Sequence, residues 1–203
     1  MKNQVAKMFR SSAAVQNRAA RVLSADVAKA VNLIVAAINK GRKILIFGNG
    51  GSAADAQHFA GEFVNKFKIA RTPLPALALH ADTSVLTAIA NDDGYHLTFQ
   101  KWIAAFGQAG DIAIAITTSD VERSEHGHSA NIAYALQEAR RKKMKIIGLF
   151  SDKSVAVVKM VDLAIKVPAT DTPRIQECHE TILHIICELA EQKIVRSQRS
   201  KVC

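Results

Sequence analysis

Five short apolar runs, separated by stretches with helical spacing, constrain the fold of this chain more than any other feature. The runs cover residues 43–47, 75–79, 112–116, 145–150 and 163–167. Runs of this length that lack polar alternation are typical of strands buried on both faces, as in a parallel sheet. Because helical stretches lie between them, the sequence predicts an α/β fold whose parallel sheet is covered on both faces.

Apolar residues recur at helical spacing in the segments between these runs. We expect helices over residues 52–67, 83–90, 129–142 and 173–196, and two further helices over residues 3–40, the second ended by Gly41. No linker rich in proline or glycine divides the chain. The sequence therefore predicts N-terminal helices (1–40) packed on the core, one α/β domain (41–196) and a frayed tail (197–203).

Charge is distributed unevenly along the chain. The formal net charge is +9, and residues 1–43 hold nine Lys/Arg side chains against one acid, whereas the other 160 residues are nearly balanced. No zinc-finger spacing or aromatic RNA-binding motif accompanies the basic segment. The charge therefore does not favour nucleic acid as a partner, and we interpret it as a solvated face or an attraction for small anions.

Hydrophobic residues make up 49% of the chain, enough for a sizeable core, yet no apolar run approaches the roughly 18 residues of a membrane span. We expect no membrane association. The three cysteines, Cys178, Cys187 and Cys203, are odd in number and form no paired framework. This pattern predicts a reduced, cytoplasmic protein.

A glycine-rich turn follows the first predicted strand, in the segment Gly48-Asn49-Gly50-Gly51-Ser52-Ala53. Free N–H groups at the start of the next helix favour an anion there. The same residues match a dinucleotide fingerprint, but the acid that this fingerprint requires about 20 residues later is absent, and Asp82 comes too late. A purely structural turn is the other interpretation.

Clustered hydroxyls follow the third predicted strand, at Thr117-Thr118-Ser119, and Ser129 stands at the start of the next helix. Such hydroxyls and a helix N-terminus can hold phosphate oxygens. Alternatively, Ser129 only caps the helix and the Thr-Thr-Ser segment is a turn. Two such loops at strand ends of one parallel sheet favour a phosphate monoester as ligand.

Two predicted helices carry imidazole, carboxylate and amide groups on a shared face. His58 and Glu62 are four residues apart, and Gln176 and His184 are eight residues apart. These groups suit either proton transfer or a divalent metal, although a solvated surface pair has the same spacing. Spacing alone does not choose Gln176 over Glu177 or Glu180.

The ordered motifs of the chain resemble the sugar isomerase (SIS) family and, within it, the phosphoheptose isomerases. The likeness runs to about residue 193. It is carried by residues 48–52, 55–60, 91–92, 117–119 and 174–177, together with His179.

This resemblance implies a flavodoxin-like three-layer αβα sandwich and a homotetramer with active sites between subunits. In such an oligomer we expect the N-terminal helices (1–40) to lie at the interface. It also implies an isomerase that converts sedoheptulose 7-phosphate to D-glycero-D-manno-heptose 7-phosphate through an enediol(ate), feeding ADP-heptose and lipopolysaccharide core synthesis. One zinc ion per subunit is the implied cofactor.

Site residues follow from the same resemblance, position by position. The implied catalytic residues are Glu62 and His184, and the implied zinc ligands are His58, Glu62, Gln176 and His184. The implied substrate-binding residues are Asn49, Gly50, Gly51, Ser52, Glu62, Asn91, Asp92, Thr117, Thr118, Ser119, Ser129 and Gln176.

The sequence departs from the isomerases in the phosphate loop, where residues 120–126 form an insertion before Gly127 and His128 stands in place of an asparagine. We expect this segment either to form a lid or to displace Ser129. A related branch of non-catalytic SIS-fold proteins binds the replication initiator and shares the run over residues 86–92. As that branch lacks the counterparts of Glu62 and His184, the enzyme is favoured over it, and over a sugar-phosphate sensor or a nicotinamide oxidoreductase.

Overall fold

The computed structural model describes residues 1–122, 124, 127 and 129–199. Its centre is a five-stranded sheet in the order β2-β1-β3-β4-β5, in which every neighbouring pair is parallel. This is the flavodoxin-like order, with its switch point between β1 and β3. The predicted fold class is confirmed. The strands are β1 (Ile44–Gly48), β2 (Ala76–Ala78), β3 (Ile112–Ile116), β4 (Lys145–Ser151) and β5 (Leu163–Val167).

Helices cover both faces of the sheet. They are α1 (Lys2–Ile38), α2 (Gly51–Val64), α3 (Thr83–Asp92), α4 (Thr98–Phe106), α5 (Ala130–Arg141) and α6 (Thr172–Arg199), with short 3₁₀ turns at Tyr95–Leu97 and Val157–Met160. One apolar core joins α1, α2 and α6 to one sheet face, and a second joins α4 and α5 to the other. The alternate residues of β1 divide between these cores, Ile44 and Ile46 in the first and Leu45 and Phe47 in the second, which explains why the strand is apolar throughout.

The N-terminal region is one helix of 37 residues, so the prediction of two helices over 3–40 was wrong. Serine and aspartate favour helix caps, so Ser24 and Asp26 are residues at which a helix could end. In the structure the Ser24 hydroxyl donates to the carbonyl of Ala20 and Asp26 pairs with Lys29, so both side chains are satisfied inside a continuous helix. Gly41 does follow the helix end with φ +69°, as expected for a C-terminal glycine.

Two further boundaries differ from the prediction. Helix α2 ends at Val64 and not at 67, because the carboxylate of Glu191 accepts the backbone N–H groups of Phe67, Lys68 and Ile69. Helix α6 continues to Arg199, so residues 197–199 are helical, while 200–203, including Cys203, lie outside the described residues. Helix α4 was not predicted.

Within the described part of the chain, no helix is both long and apolar enough to cross a membrane. Cys178 and Cys187 are buried free thiols on α6, and burial raises the pKa of both, that of Cys178 to about 11. Both therefore serve as small apolar core residues.

Candidate active site

The glycine turn after β1 needs glycine for steric reasons. A Cβ at Gly48 would lie 2.7 Å from the Cβ of Ser52 and 2.8 Å from the carbonyl oxygen of Ile116, and Gly50 has φ +57°. These two residues let the chain turn sharply into α2 while β1 stays close to β3. The turn therefore brings the N-terminus of α2 to the carboxyl edge of the sheet.

A cavity of about 210 Å³ lies at this edge, and we name it the hydroxyl cavity. Its lining consists of Asn49, Gly50, Ser52, Ile116, Thr117, Thr118, Ser119 and Ser129. The structure thus brings the two predicted phosphate loops together. Ser129 is the residue before α5, with φ +55°, and its hydroxyl makes no capping hydrogen bond. The alternative that Ser129 only caps the helix is not supported.

The segment after β4 holds the loop that follows β3, residues 117–119, which we name the hydroxyl loop. Ser151 donates to the carbonyl of Thr118, and the carboxylate of Asp120 accepts the backbone N–H groups of Ala156 and Val157. Burial alone would raise the pKa of Asp120, but these N–H donors lower it. The carboxylate is therefore ionised, and its oxygens are engaged in hydrogen bonds with the backbone. Asp120 thus braces the loop. Of the predicted insertion, Arg123, Glu125 and His126 lie outside the described residues, and so does His128.

A second cavity of about 340 Å³ adjoins the first, since Asn49 and Ser129 line both. Asn49 and the buried Asn131 exchange two amide hydrogen bonds of 2.9 Å, and the Tyr95 hydroxyl donates to the Asn49 oxygen at 3.1 Å. The side chain of Asn49 is therefore fixed, with Tyr95 and Asn131 as partners that the sequence analysis did not identify.

Asn91 and Asp92 are not brought into the lining of either cavity. They are exposed at the end of α3, where the Asn91 amide donates to Asp92 at 2.8 Å. Among the described residues, neither side chain lines the hydroxyl cavity or its neighbour. Asp82 is the cap of α3 and accepts the N–H of Val85, so it is not available as a ribose-binding acid.

Two helices face each other beside the glycine turn and form what we name the α2–α6 cluster. Its members on α2 occur at intervals of three and four residues and its members on α6 at intervals of four, so each set occupies one helix face. The cluster consists of Asp55, His58 and Glu62 on α2 and Gln176, Glu180 and His184 on α6.

Short distances join the imidazoles and carboxylates of this cluster. The Nε2 atoms of His58 and His184 are 2.9 Å apart, and Glu180 Oε1 lies 3.4 Å from the first and 3.3 Å from the second. Glu62 Oε1 lies 3.6 Å from His58 Nε2. Such a set of donors can hold a divalent cation or transfer protons.

The structure decides between the residues that spacing left open. Glu177 points away and pairs with Arg174 at 2.8 Å, whereas Glu180 contacts both histidines. Gln176 lies against the glycine turn, since a Cβ at Gly51 would be 2.2 Å from its amide nitrogen. Gln176 thus connects the α2–α6 cluster with the hydroxyl cavity.

Asp55 is a cluster member to which the sequence analysis gave no role. Its Oδ1 accepts a long, 3.5 Å hydrogen bond from Gln176, and its buried Oδ2 has no hydrogen-bond partner among the described residues. Burial, together with the nearby Glu180 carboxylate, raises the pKa of Asp55 to about 6, although the Gln176 amide partly offsets this rise. The spacing of three residues from His58 is the signal that could have identified it.

A buried ion pair fixes the C-terminal end of α2. Arg71 donates to the carbonyl oxygens of Glu62 and Phe63 and pairs with Glu191 at 3.0 Å, and both charged side chains are only 2% exposed. Because these carbonyls have no helical partner, the guanidinium satisfies them. The arrangement positions the helix turn that carries Glu62.

His179, which belongs to the recognised motif, is structural. It is fully buried, its Nε2 bonds the carbonyl of Phe150 at 2.9 Å, and burial lowers its pKa to about 4. The neutral ring therefore ties α6 to β4.

Comparison with known proteins places this geometry in context. The sequence profile of the SIS domain matches residues 7–151. The phosphoheptose isomerase of Citrifermentans bemidjiense is 46% identical over 172 residues, which make up 85% of this chain and 86% of that protein.

Solved structures agree with this similarity. A phosphoheptose isomerase from Francisella tularensis has a TM-score of 0.87 at 35% identity, with 94% of this chain and 97% of that chain covered. The phosphoheptose isomerase from Neisseria gonorrhoeae has a TM-score of 0.85 at 36% identity, with 94% and 98% covered.

Proposed function

This chain belongs to the SIS domain family, and we propose that it is a phosphoheptose isomerase, which converts sedoheptulose 7-phosphate to D-glycero-D-manno-heptose 7-phosphate. One observation carries the proposal: the hydroxyl cavity and the α2–α6 cluster meet at the glycine turn. Phosphate-binding groups and acid–base groups are thereby placed side by side at the carboxyl edge of the sheet, where ligands of such folds bind.

In the proposed complex the substrate phosphate occupies the hydroxyl cavity. Ser119 and Ser129 would donate hydroxyl protons to its oxygens, and the N-terminus of α2 would stabilise its charge. Thr117 already bonds within its own turn, accepting the N–H of Ser119 at 3.2 Å, so its part is to shape the loop. The Gln176 amide would then lie beside the part of the sugar chain that is bonded to the phosphate.

Proton transfer falls to the α2–α6 cluster. Glu62 removes a proton from C1 of the open-chain ketose, the electrons of that bond form the enediol(ate), and the proton returns to C2. His184 carries the proton that leaves the O1 hydroxyl and the one that reaches the O2 oxygen. Their place in one cluster supports these roles, because Glu62 Oε1 lies 3.6 Å from His58 Nε2, which in turn lies 2.9 Å from His184 Nε2.

A divalent cation, zinc by family resemblance, is part of the proposal. Among the described residues, His58, Glu180 and His184 have ligand atoms within 4.8 Å of one another, which fits such an ion. The ligands that the resemblance implies are His58, Glu62, Gln176 and His184. When bound, the ion would polarise the sugar oxygens as a Lewis acid.

We also propose a homotetramer. Helix α3 carries the apolar residues Val85, Leu86 and Ile89, yet none of its residues is buried in the single chain. An apolar groove of about 430 Å³ between α1 and α6 is likewise uncovered, with Ile185 and Leu189 exposed at its side. Subunit packing on these surfaces would remove them from water. Light scattering at micromolar concentration should give four times the 22.0 kDa chain mass.

The catalytic proposal is tested by proton NMR of sedoheptulose 7-phosphate in deuterated water. New aldose anomeric signals, with deuterium at C2, are the expected result. An unchanged spectrum from folded protein, with and without zinc, contradicts it. The alternative of a non-catalytic protein that binds the replication initiator is not supported, and the cytoplasmic location and lipopolysaccharide pathway stay predictions.

A further inference from the structure

We propose that Tyr95 and Asn131 are positioning residues for the sugar phosphate: they hold the side-chain amide of Asn49 so that it donates a hydrogen bond to a ligand oxygen and accepts none. Neither Tyr95 nor Asn131 belongs to the set of site residues that the family resemblance implies. The inference rests on the proposed function, because the ligand is the sugar phosphate, but its binding half can be tested without turnover.

Asn49 stands where the two cavities meet. It follows β1 in the glycine turn, it is half-buried, and it lines both the hydroxyl cavity and the neighbouring cavity of about 340 Å³. Ser129, whose hydroxyl makes no capping hydrogen bond, lines both cavities as well. A ligand at this boundary would therefore meet both side chains.

A backbone N–H group determines the orientation of the Asn49 amide. The N–H of Ile132 donates to Asn131 Oδ1 at 3.0 Å, and since a backbone N–H can only donate, the oxygen of Asn131 lies on that side. Asn131 Oδ1 also accepts from Asn49 Nδ2, and Asn131 Nδ2 donates to Asn49 Oδ1, each at 2.9 Å. Turning one amide over would oppose donor to donor within the pair, and turning both would do so at Ile132. Asn49 therefore has one orientation.

Tyr95 completes the hydrogen bonds at the oxygen of Asn49. Its hydroxyl donates to Asn49 Oδ1 at 3.1 Å, so the two lone pairs of this oxygen accept from Tyr95 and from Asn131. One N–H of the Asn49 amide donates to Asn131, and the other has no hydrogen-bond partner in the described part of the chain. The amide thus offers a ligand one donor and no acceptor, which suits an oxygen of the phosphate or of the sugar.

The backbone around Tyr95 brings its hydroxyl to Asn49. Gly94 has φ +97°, a conformation that favours glycine, and it leads the chain into the 3₁₀ turn that begins at Tyr95. The buried Thr98 fixes this turn, since its hydroxyl donates to the carbonyl of Tyr95 at 2.8 Å. Tyr95 itself is 52% exposed, so loss of its hydroxyl should change stability little. An effect of that loss on binding is therefore separable from an effect on folding.

The test measures the effect of Tyr95→Phe in two backgrounds, wild type and Asn49→Ala, with the full-length protein. Loss of the hydroxyl leaves the amide less firmly held, so Tyr95→Phe should raise KM for sedoheptulose 7-phosphate about fivefold with kcat within about twofold of wild type. In Asn49→Ala the same change should alter KM less than about 1.5-fold, because Tyr95 then has no amide to position. Thermal melts verify that each variant folds.

Tyr134→Phe is the matched control. It removes the hydroxyl of the other tyrosine of the chain, which lies on α5 and lines neither cavity. KM and kcat of this variant should equal those of wild type. A rise of KM in Tyr134→Phe as large as in Tyr95→Phe would contradict the assignment to Tyr95.

Inorganic phosphate, measured by calorimetry, is the second probe and identifies the ligand oxygen. If the free N–H of Asn49 meets the phosphate group, the Kd for inorganic phosphate should rise together with KM in Tyr95→Phe. If it meets an oxygen of the sugar, this Kd should stay at the wild-type value while KM rises. Either result supports the inference and assigns the donor to one part of the ligand.

Equal increases of KM in both backgrounds would overturn the inference, because Tyr95 would then act independently of Asn49. An unchanged KM in Tyr95→Phe would do so as well. If Asn49→Ala does not fold, a crystal structure of wild type with the sugar phosphate decides: Asn49 Nδ2 within about 3.2 Å of a ligand oxygen supports the inference, and a longer distance refutes it. If wild type shows no turnover, the proposed function fails, and the Kd of the sugar phosphate replaces KM in the same comparison.

Discussion

The hydroxyl cavity and the α2–α6 cluster lie on either side of the same glycine turn, yet their polar groups are arranged in opposite ways. Around the cavity, Asn49, Thr117 and Asp120 are each held by hydrogen bonds from the protein itself. In the cluster, the carboxylates of Glu62 and Glu180 contact imidazoles, and in the described part of the chain neither pairs with a lysine or an arginine. The first region is shaped in advance to bind, and the second is poised to react with a proton or a cation.

The largest effect expected from this contrast is on turnover. Glu62→Gln keeps the size of the side chain but removes the base, so kcat should fall about a thousandfold while binding of substrate changes little. NMR progress curves give the rate and calorimetry gives the binding. Glu177→Gln on α6 is the control and should turn over normally. Near-normal turnover in Glu62→Gln would remove the functional contrast between the two regions.

The next effect concerns the support of the cluster. Glu191→Gln leaves the buried Arg71 without its anion and three N–H groups poorly paired, and should lower the free energy of unfolding by about 3 kcal/mol in urea titrations. Glu188 lies on the same helix as Glu191 and forms an exposed ion pair with Lys68. Glu188→Gln should therefore lower the free energy of unfolding by less than about 1 kcal/mol. Equal losses would show that burial of the Glu191 pair is unimportant.

A smaller effect should come from the point where the regions meet. Gly51→Ala places a Cβ against the Gln176 amide, which can swing away, so we expect KM for the sugar phosphate to rise about tenfold with little loss of stability. Gly61→Ala is the matched control, since its Cβ would meet no atom within 4 Å and alanine favours a helix interior. If both variants behave alike, Gln176 does not connect the two regions.

The smallest effect concerns the brace of the hydroxyl loop. The pKa of Asp120 is lowered on folding, so its contribution to stability is present above the pKa of the unfolded chain and is lost as pH falls through the lower, folded value. Asp120→Asn should therefore cost about 1 kcal/mol at neutral pH, a modest amount because the group is partly solvated, and nothing in strong acid. Urea titrations across pH 2–7 measure the difference. A pH-independent difference would mean that the charge does not brace the loop.

Local pattern determined much of this protein. Apolar runs located all five strands, because a strand buried on both faces must be apolar along its whole length. The glycines after β1 marked the turn, and the ordered motifs pointed to the isomerases. Those motifs also supplied His58, Glu62, Gln176 and His184, which the structure places on two facing helices.

Tertiary structure alone decided which side chains meet. Glu177 and Glu180 are both close to His184 in sequence, but the rotation of α6 against α2 turns only Glu180 towards the histidines. Asp120 is the first residue of the insertion beside the predicted phosphate loop, and only the fold shows that its carboxylate accepts N–H groups of the segment after β4. The reason is physical: spacing along a helix fixes the angle between two residues of that helix, while the face that meets a partner is set by packing against the sheet.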